Sequence, residues 1–271
     1  MSRPVFTYEL VMKLWPLTKV AYKLGKKPVA GSMLRTFFSP RLNHLTIVPV
    51  NETISTGESL VLPYFILDAI IEQASHCFIM KECMCRRNEG CQSYPHNTGC
   101  LFLGDGAALI NPSLGSLSTK EMALAHVRSA TKAGLVPLVA HTVFDSALLG
   151  IPHRRMLTIC FCCECCCTVR HGLRLGPPAL WDVVMPLPGL YVESSDECTG
   201  CGTCIEICPV GAISLSKDRS IISAACKGCG RCVPVCPMGA INMNMRDREL
   251  ALHRLWEKVS HQTAIGANSP G

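Results

Sequence analysis

The sequence predicts an α+β protein, with a cysteine-rich mixed α/β module in the amino-terminal part and a compact duplicated module near the carboxyl end. Three observations carry this. Residues 119–133 have the apolar spacing and end signals of a helix, Leu45–Val50 is rich in β-branched residues as a strand is, and residues 198–213 recur 28 positions later as 226–241. The chain has 271 residues, of which 19 are cysteine. It is too long to be a small disulfide-stapled scaffold, so metal or redox chemistry becomes the leading expectation.

Residues 1–40 read as a basic amphipathic helical segment, in which Leu10, Leu14, Leu17, Ala21 and Leu24 recur at helical spacing. Pro16 ends or kinks one piece and Gly25 punctuates the next. Seven bases (Arg3, Lys13, Lys19, Lys23, Lys26, Lys27 and Arg35) stand against one acid, Glu9, so the whole net charge of +6 sits here. Such a segment fits peripheral contact with an anionic membrane face or an acidic partner; the alternative is a solvated face covering the first module. The remaining chain is electrically balanced and lacks a basic face, which argues against nucleic acid as a partner. No stretch reaches the roughly 18 apolar residues that span a membrane. The opening residues do not have the basic, apolar and small-residue order of a secretory signal, so a cytoplasmic location is expected, where thiols stay reduced.

Residues 41–171 form the cysteine-rich module. After the strand at Leu45–Val50, Leu60–Cys77 is expected as a largely buried helix, with Cys77 acting as a small hydrophobe. For the helix Thr119–Ala133, Ser118 and Glu121 form a capping box, Leu117 and Met122 a hydrophobic staple, and Gly134 the C′ glycine. Cys83, Cys85, Cys91 and Cys100 lie within 18 residues, enough for one metal site. In an extended segment Cys83 and Cys85 would point the same way, and Gly90 and Gly99 would ease a tight approach. An additional iron–sulfur cluster, structural zinc and unligated thiols are the open readings. The run ICFCCECCC then places Cys160, Cys162, Cys163, Cys165, Cys166 and Cys167 in eight positions. No core needs that, so these thiols hold a further cluster of unusual geometry, complete the site begun by Cys83–Cys100, or form a vicinal-disulfide switch.

Residues 172–190 contain four prolines and three glycines and read as a linker. Residues 191–246 are the duplicated module, and 247–271 a terminal helix, with Leu252, Leu255, Trp256 and Val259 on one face, followed by a frayed tail. Each half of the duplication reads CxxCxxCxxxCP, the run used for [4Fe–4S] clusters. Three thiolates in seven residues wrap one corner of a cubane, and the fourth, too far along the turn, reaches across to the other cluster. Cys198, Cys201, Cys204 and Cys236 would thus hold cluster 1, and Cys226, Cys229, Cys232 and Cys208 cluster 2.

This segment resembles the two-cluster bacterial-type ferredoxin domain, and the arrangement over most of 45–245 is similar to multi-cluster ferredoxin-like proteins of anaerobic bacteria and archaea. The resemblance implies two short βαβ-like repeats with pseudo-twofold symmetry around two cubanes that pass single electrons. Between Glu193 and Glu249 seven acids meet six bases, so the strong acidity frequent in free ferredoxins is missing. Lys227 and Arg231 lie inside the second motif and should make that cluster the easier to reduce. The expected function is one-electron transfer with a redox partner protein or oxidoreductase subunits. The alternatives are substrate reduction at an unusual cluster near Cys160–Cys167, or a redox- or metal-sensing module.

Overall fold

The computed structural model describes residues 3–49, 54–55, 60–61 and 64–266. Three helices open the chain, α1 (Val5–Leu14), α2 (Leu17–Leu24) and α3 (Pro28–Phe37). Then come β1 (His44–Ile47), β2 (Ile54–Ser55), β3 (Leu60–Val61), α4 (Tyr64–Gln73), β4 (Cys77–Met80), α5 (Met84–Glu89) and β5 (Leu101–Leu103). These lead to β6 (Gly115–Ser118), α6 (Lys120–Lys132), β7 (Val136–His141), α7 (Val143–Leu149), β8 (Leu157–Cys162), α8 (Thr168–Leu175) and β9 (Val184–Met185). The last part holds β10 (Leu190–Ser194), α9 (Thr203–Ile207), β11 (Ile213–Ser216), β12 (Arg219–Ile222), β13 (Ile241–Met245) and α10 (Arg248–Gln262).

A seven-stranded sheet in the order β6-β4-β5-β8-β7-β1-β9 forms the centre, and every pair in it is antiparallel except β1 with β9. Both of its faces are covered, because apolar residues occupy both parities of the strands. Leu101 and Leu103 pack under α4 and α6, among Ile66, Ile70, Ala123 and Val127. Phe102 packs on the other side with Phe78, Met80, Leu148 and Leu149, where α1 adds Tyr8 and Met12.

The amino-terminal segment is helical, divided after Leu14 and near Gly25 as the proline and glycine require, but its leucine stripe does not face the core. Leu10, Leu14, Leu17 and Leu24 remain 43% to 58% exposed, while Tyr8, Met12 and Trp15 are buried. Spaced at i, i+4 and i+7, these larger side chains form the competing face and remove more apolar area from water.

Other expectations shift by local causes. Cys77 lies on β4, not on the preceding helix, which ends at Gln73; it pairs with Leu103 and Ser118 and is buried as a hydrophobe would be. Thr119, not Ser118, caps α6 by accepting the Met122 N–H at 3.3 Å, since Ser118 is already engaged in the β4–β6 ladder. Leu117 and Met122 are exposed and bury no staple. The first strand stops at Ile47; Val48 still donates to the Pro137 carbonyl, Pro49 has no N–H to continue, and Val50 lies outside the described residues.

Residues 172–190 carry the end of α8, a 3₁₀ turn over Pro178–Val183, and β9, with Leu173, Val183 and Val184 in the core. Beyond them β10 and β13 pair antiparallel, and β13 also pairs in parallel with β2 through Asn244 and Ser55. α10 sets Ala251, Leu255 and Val259 into the same core as α4. The carboxyl-terminal module is therefore joined to the first by sheet pairing and by a shared apolar cluster. No helix among the described residues is long and apolar enough to cross a membrane.

Candidate metal centre

The parity of β8 divides the first module's thiols. Its Leu157, Ile159 and Phe161 face the α4 and α6 layer, while Cys160 and Cys162 face the opposite one. The β5–β8 register, Leu101 with Ile159, sets Cys100 opposite Cys160, and their Sγ atoms are 3.6 Å apart. A Cβ on Gly99 would stand 2.2 Å from the Met80 carbonyl oxygen, so only glycine lets β4 close on this point. Cys162 lies 3.1 Å from Cys167, which precedes α8. Cys83 caps α5 and Cys85 sits in its first turn, rather than both in an extended segment, and the two thiols are hydrogen-bonded. These six cysteines line a cavity of about 200 Å³ together with Cys163, Arg86 and an apolar wall that includes Trp15, Tyr22, Leu138, Phe144 and Leu173.

Cys163, one position beyond Cys162, falls on the other face. There it meets Cys91, Cys165 and Cys166, and the four Sγ atoms all lie within 4.8 Å of one another. Cys83, Cys85, Cys91 and Cys100 thus do not converge on one point: Cys91 joins the second group and the other three the first. The signal that separates them is strand parity, which becomes readable only once β8 is placed.

Two buried guanidinium groups, which the sequence pattern alone does not single out, flank the thiols. Arg86 is 1% exposed and donates to the carbonyls of Pro95 (2.8 Å), Phe161 (2.7 Å) and Thr98. Arg170 donates to the Ile207 carbonyl at 3.2 Å, and its buried Nε has no hydrogen-bond partner among the described residues. Neither forms an ion pair with a carboxylate among the described residues, and a buried cation needs an anion nearby. Cys83, Cys100, Cys162 and Cys163 line a cavity with Arg86, and Cys229 one with Arg170, so thiolates bound to metal at these positions would supply the anion. The readable clue was an arginine set directly between or after ligand-type cysteines, in CMCRR and CCCTVR. The hydrogen bond from Cys85 and the nearby Arg86 bring the Cys83 thiol down to about 6, against burial, while Cys85 is pushed well up. Cys167 is lowered by its hydrogen bond with Cys162, which is raised.

In the carboxyl-terminal module Cys198, Cys201, Cys204 and Cys236 line one cavity, and Cys208, Cys226, Cys229 and Cys232 another. The duplication is visible in the hydrogen bonds: Ala212 N–H donates to Cys208 Sγ at 3.2 Å, and its counterpart Ala240 to Cys236 Sγ at 3.3 Å. Ser220 and Gly228 N–H groups donate to Cys198 and Cys226 Sγ, each at 3.4 Å. Gly200, with φ +69°, is required because a Cβ there would meet the Asp218 carbonyl oxygen at 2.6 Å. The repeats differ in one respect. α9 has no helical counterpart over 231–235, because Pro234 stands where the first repeat has Glu206 and supplies no N–H.

The first set has the more exposed thiols, with Cys201 exposed and the Cys198 thiol brought to about 6 by the Ser220 hydroxyl. The second is closer to the core, where burial pushes Cys232 up to about 12. A further cavity is lined by Cys229 and Arg231 of this module and by Cys162, Cys163, Cys167 and Arg170 of the first. Arg231 crosses to the first module, donating to the Gly134 and Cys162 carbonyls and pairing with Glu164 at 3.4 Å. Lys227 turns to the Trp181 carbonyl at 2.8 Å. Of the histidines near the run, His171 bonds the Cys165 carbonyl, while His153 stacks on His141 and bonds Ser146.

Residues 197–241 match the model of a family described as a 4Fe-4S dicluster domain. No curated protein and no solved structure matches the chain. The residues fit such a group: the donors are thiols, N–H groups point at sulfur, and the buried cation Arg170 lacks a carboxylate partner among the described residues beside them. This part of the chain is an iron–sulfur, ferredoxin-like domain.

Proposed function

We propose that the protein is an iron–sulfur electron carrier with two [4Fe–4S] clusters in its carboxyl-terminal module and a further cluster in the first. Cys198, Cys201, Cys204 and Cys236 hold cluster 1, and Cys208, Cys226, Cys229 and Cys232 cluster 2. The further cluster occupies the cavity of Cys83, Cys85, Cys100, Cys160, Cys162 and Cys167. The observation that carries this reading is the division of eight thiols in a dicluster-type segment between two cavities, one of which adjoins the thiols of the first module.

Bound clusters of this kind supply reversible storage of single electrons. The chain's own residues set the rest. Thiolates hold the metal, and N–H donors at Cys198, Cys208, Cys226 and Cys236 favour added negative charge. Val192, Ile213, Ile222 and Ile241 keep water from the space between the two sets. Arg170 and Arg231 place positive charge between cluster 2 and the first module. The first set, with the more exposed thiols, is the exchange point with a redox partner protein or oxidoreductase subunit, in the cytoplasm. The exposed leucine and lysine face of α1 and α2 docks the carrier on an anionic membrane surface. A second reading, substrate reduction in the six-thiol cavity, is favoured by its apolar wall and its volume of about 200 Å³.

Iron and acid-labile sulfide counted on anaerobically prepared protein, with EPR of the reduced form, test the assignment. About eight irons confine the clusters to the carboxyl-terminal module, and about twelve or sixteen support the further cluster. Serine at Cys83 and Cys100 should lower the larger count; colourless, iron-free protein sinks the proposal altogether.

A further inference from the structure

The four-thiol group on the α4 and α6 side of the sheet differs in kind from every other cysteine group in the chain. Around a single tetrahedral ion with metal–sulfur bonds of about 2.3 Å, neighbouring sulfurs lie about 3.8 Å apart. Cys91, Cys163, Cys165 and Cys166 meet that requirement, with Cys91 to Cys165 at 3.5 Å, Cys165 to Cys166 at 3.3 Å, and all four Sγ atoms within 4.8 Å. A cubane needs wider spacing, since each thiolate caps a different iron corner. Among the described residues, neither of the ferredoxin-domain quartets contracts to this size.

We propose that Cys91, Cys163, Cys165 and Cys166 bind one zinc-class divalent ion, without inorganic sulfide, at a site separate from the iron–sulfur clusters. The site is closed in the manner of a structural one: it offers four protein ligands, three of them buried, with only Cys165 exposed. Two histidines buttress the ligand backbone without joining it, His96 at the Cys91 carbonyl (2.6 Å) and His171 at the Cys165 carbonyl (3.0 Å). Four thiolates around a divalent ion leave two negative charges in excess, and a buried cation lies close by: the Arg86 guanidinium, which donates to the Phe161 carbonyl two residues before Cys163. The ion pins the loop after α5 to the loop after β8. That second loop runs from the end of β8 to Cys167, which precedes α8.

Anaerobically purified protein should contain one zinc per chain beside its iron and sulfide. Cys91→Ser and Cys165→Ser should each release that zinc with acid-labile sulfide unchanged. Cys198→Ser is the contrasting variant, lowering iron and sulfide with zinc unchanged, so failure here is separable from failure of the ferredoxin-domain assignment. Protein produced with Co²⁺ in place of Zn²⁺ needs no variant and should show the ligand-field and thiolate-to-cobalt absorption of a tetrahedral tetrathiolate. Iron and sulfide falling together in Cys91→Ser, or folded cobalt-grown protein without that absorption, overturns the inference.

Discussion

His44 shows how burial alone sets a pH response. It is 4% exposed on β1 beside Lys258 and His141, and burial brings its imidazole down to about 3; His141 is brought to about 4 by the same cause. Both titrate near 6.5 when the chain unfolds. Because the folded values are the lower ones, the unfolded chain takes up protons first as pH falls. Stability is therefore intact above about pH 6.5 and is lost toward pH 4, by about 1.4 kcal/mol per pH unit for each histidine. Denaturant midpoints measured between pH 7 and pH 5 should fall, and His44→Gln should flatten the fall; an equally steep variant would remove His44 as the cause. The sequence could not reveal this, because a lone histidine carries no sign of its burial. Arg86 was equally hidden: CMCRR holds two arginines, and only the folded chain turns Arg86 inward to three carbonyls and leaves Arg87 outside with Glu9 and Glu82.

Among the elements, α1 and α2 make the sharpest testable claim. Phe6, Leu10, Leu14, Leu17, Val20 and Leu24 are all at least 43% exposed, alongside Lys13 and Lys23. An apolar stripe flanked by lysines lies in the headgroup region of anionic lipid, with its affinity weakened by salt. Cosedimentation should capture the protein on phosphatidylglycerol-containing vesicles but not on purely zwitterionic ones, and Leu10→Ser with Leu14→Ser should abolish capture. Equal binding to both vesicle types, or binding to acidic protein alone, would refute the lipid assignment. The helical period of this segment was legible, but the buried face was not. Two stripes compete on one amphipathic helix, and the sheet face beneath selects the aromatic one. At α6 the helix and its C′ glycine were readable, and the cap moved by one residue because β6 had already taken Ser118.

Across the whole molecule, Arg231 connects the two modules. Its guanidinium lies beside Cys229 and Cys162 and pairs with Glu164, so in the proposed assignment its charge would act on cluster 2 and be partly offset by that carboxylate. A redox titration of Lys227→Glu with Arg231→Glu should lower the midpoint of cluster 2, and Glu164→Gln should raise it. Midpoints that stay unmoved in both would show that these charges do not tune the cluster. Sheet pairing of β13 with β2, and the packing of α10 beside α4, hold the modules so that this contact persists.

The amino-acid sequence by itself determined the duplicated cysteine runs, their two ligand sets as an expectation, and the α+β character. Each of these rests on short spacings or on local periodicity, which a linear string carries intact. Only tertiary structure decided the partition of the other cysteines. Neighbours such as Cys162 and Cys163 separate because alternate side chains of a strand point to opposite faces, and partners such as Cys91 and Cys165, 74 positions apart, meet only when the sheet brings their loops together.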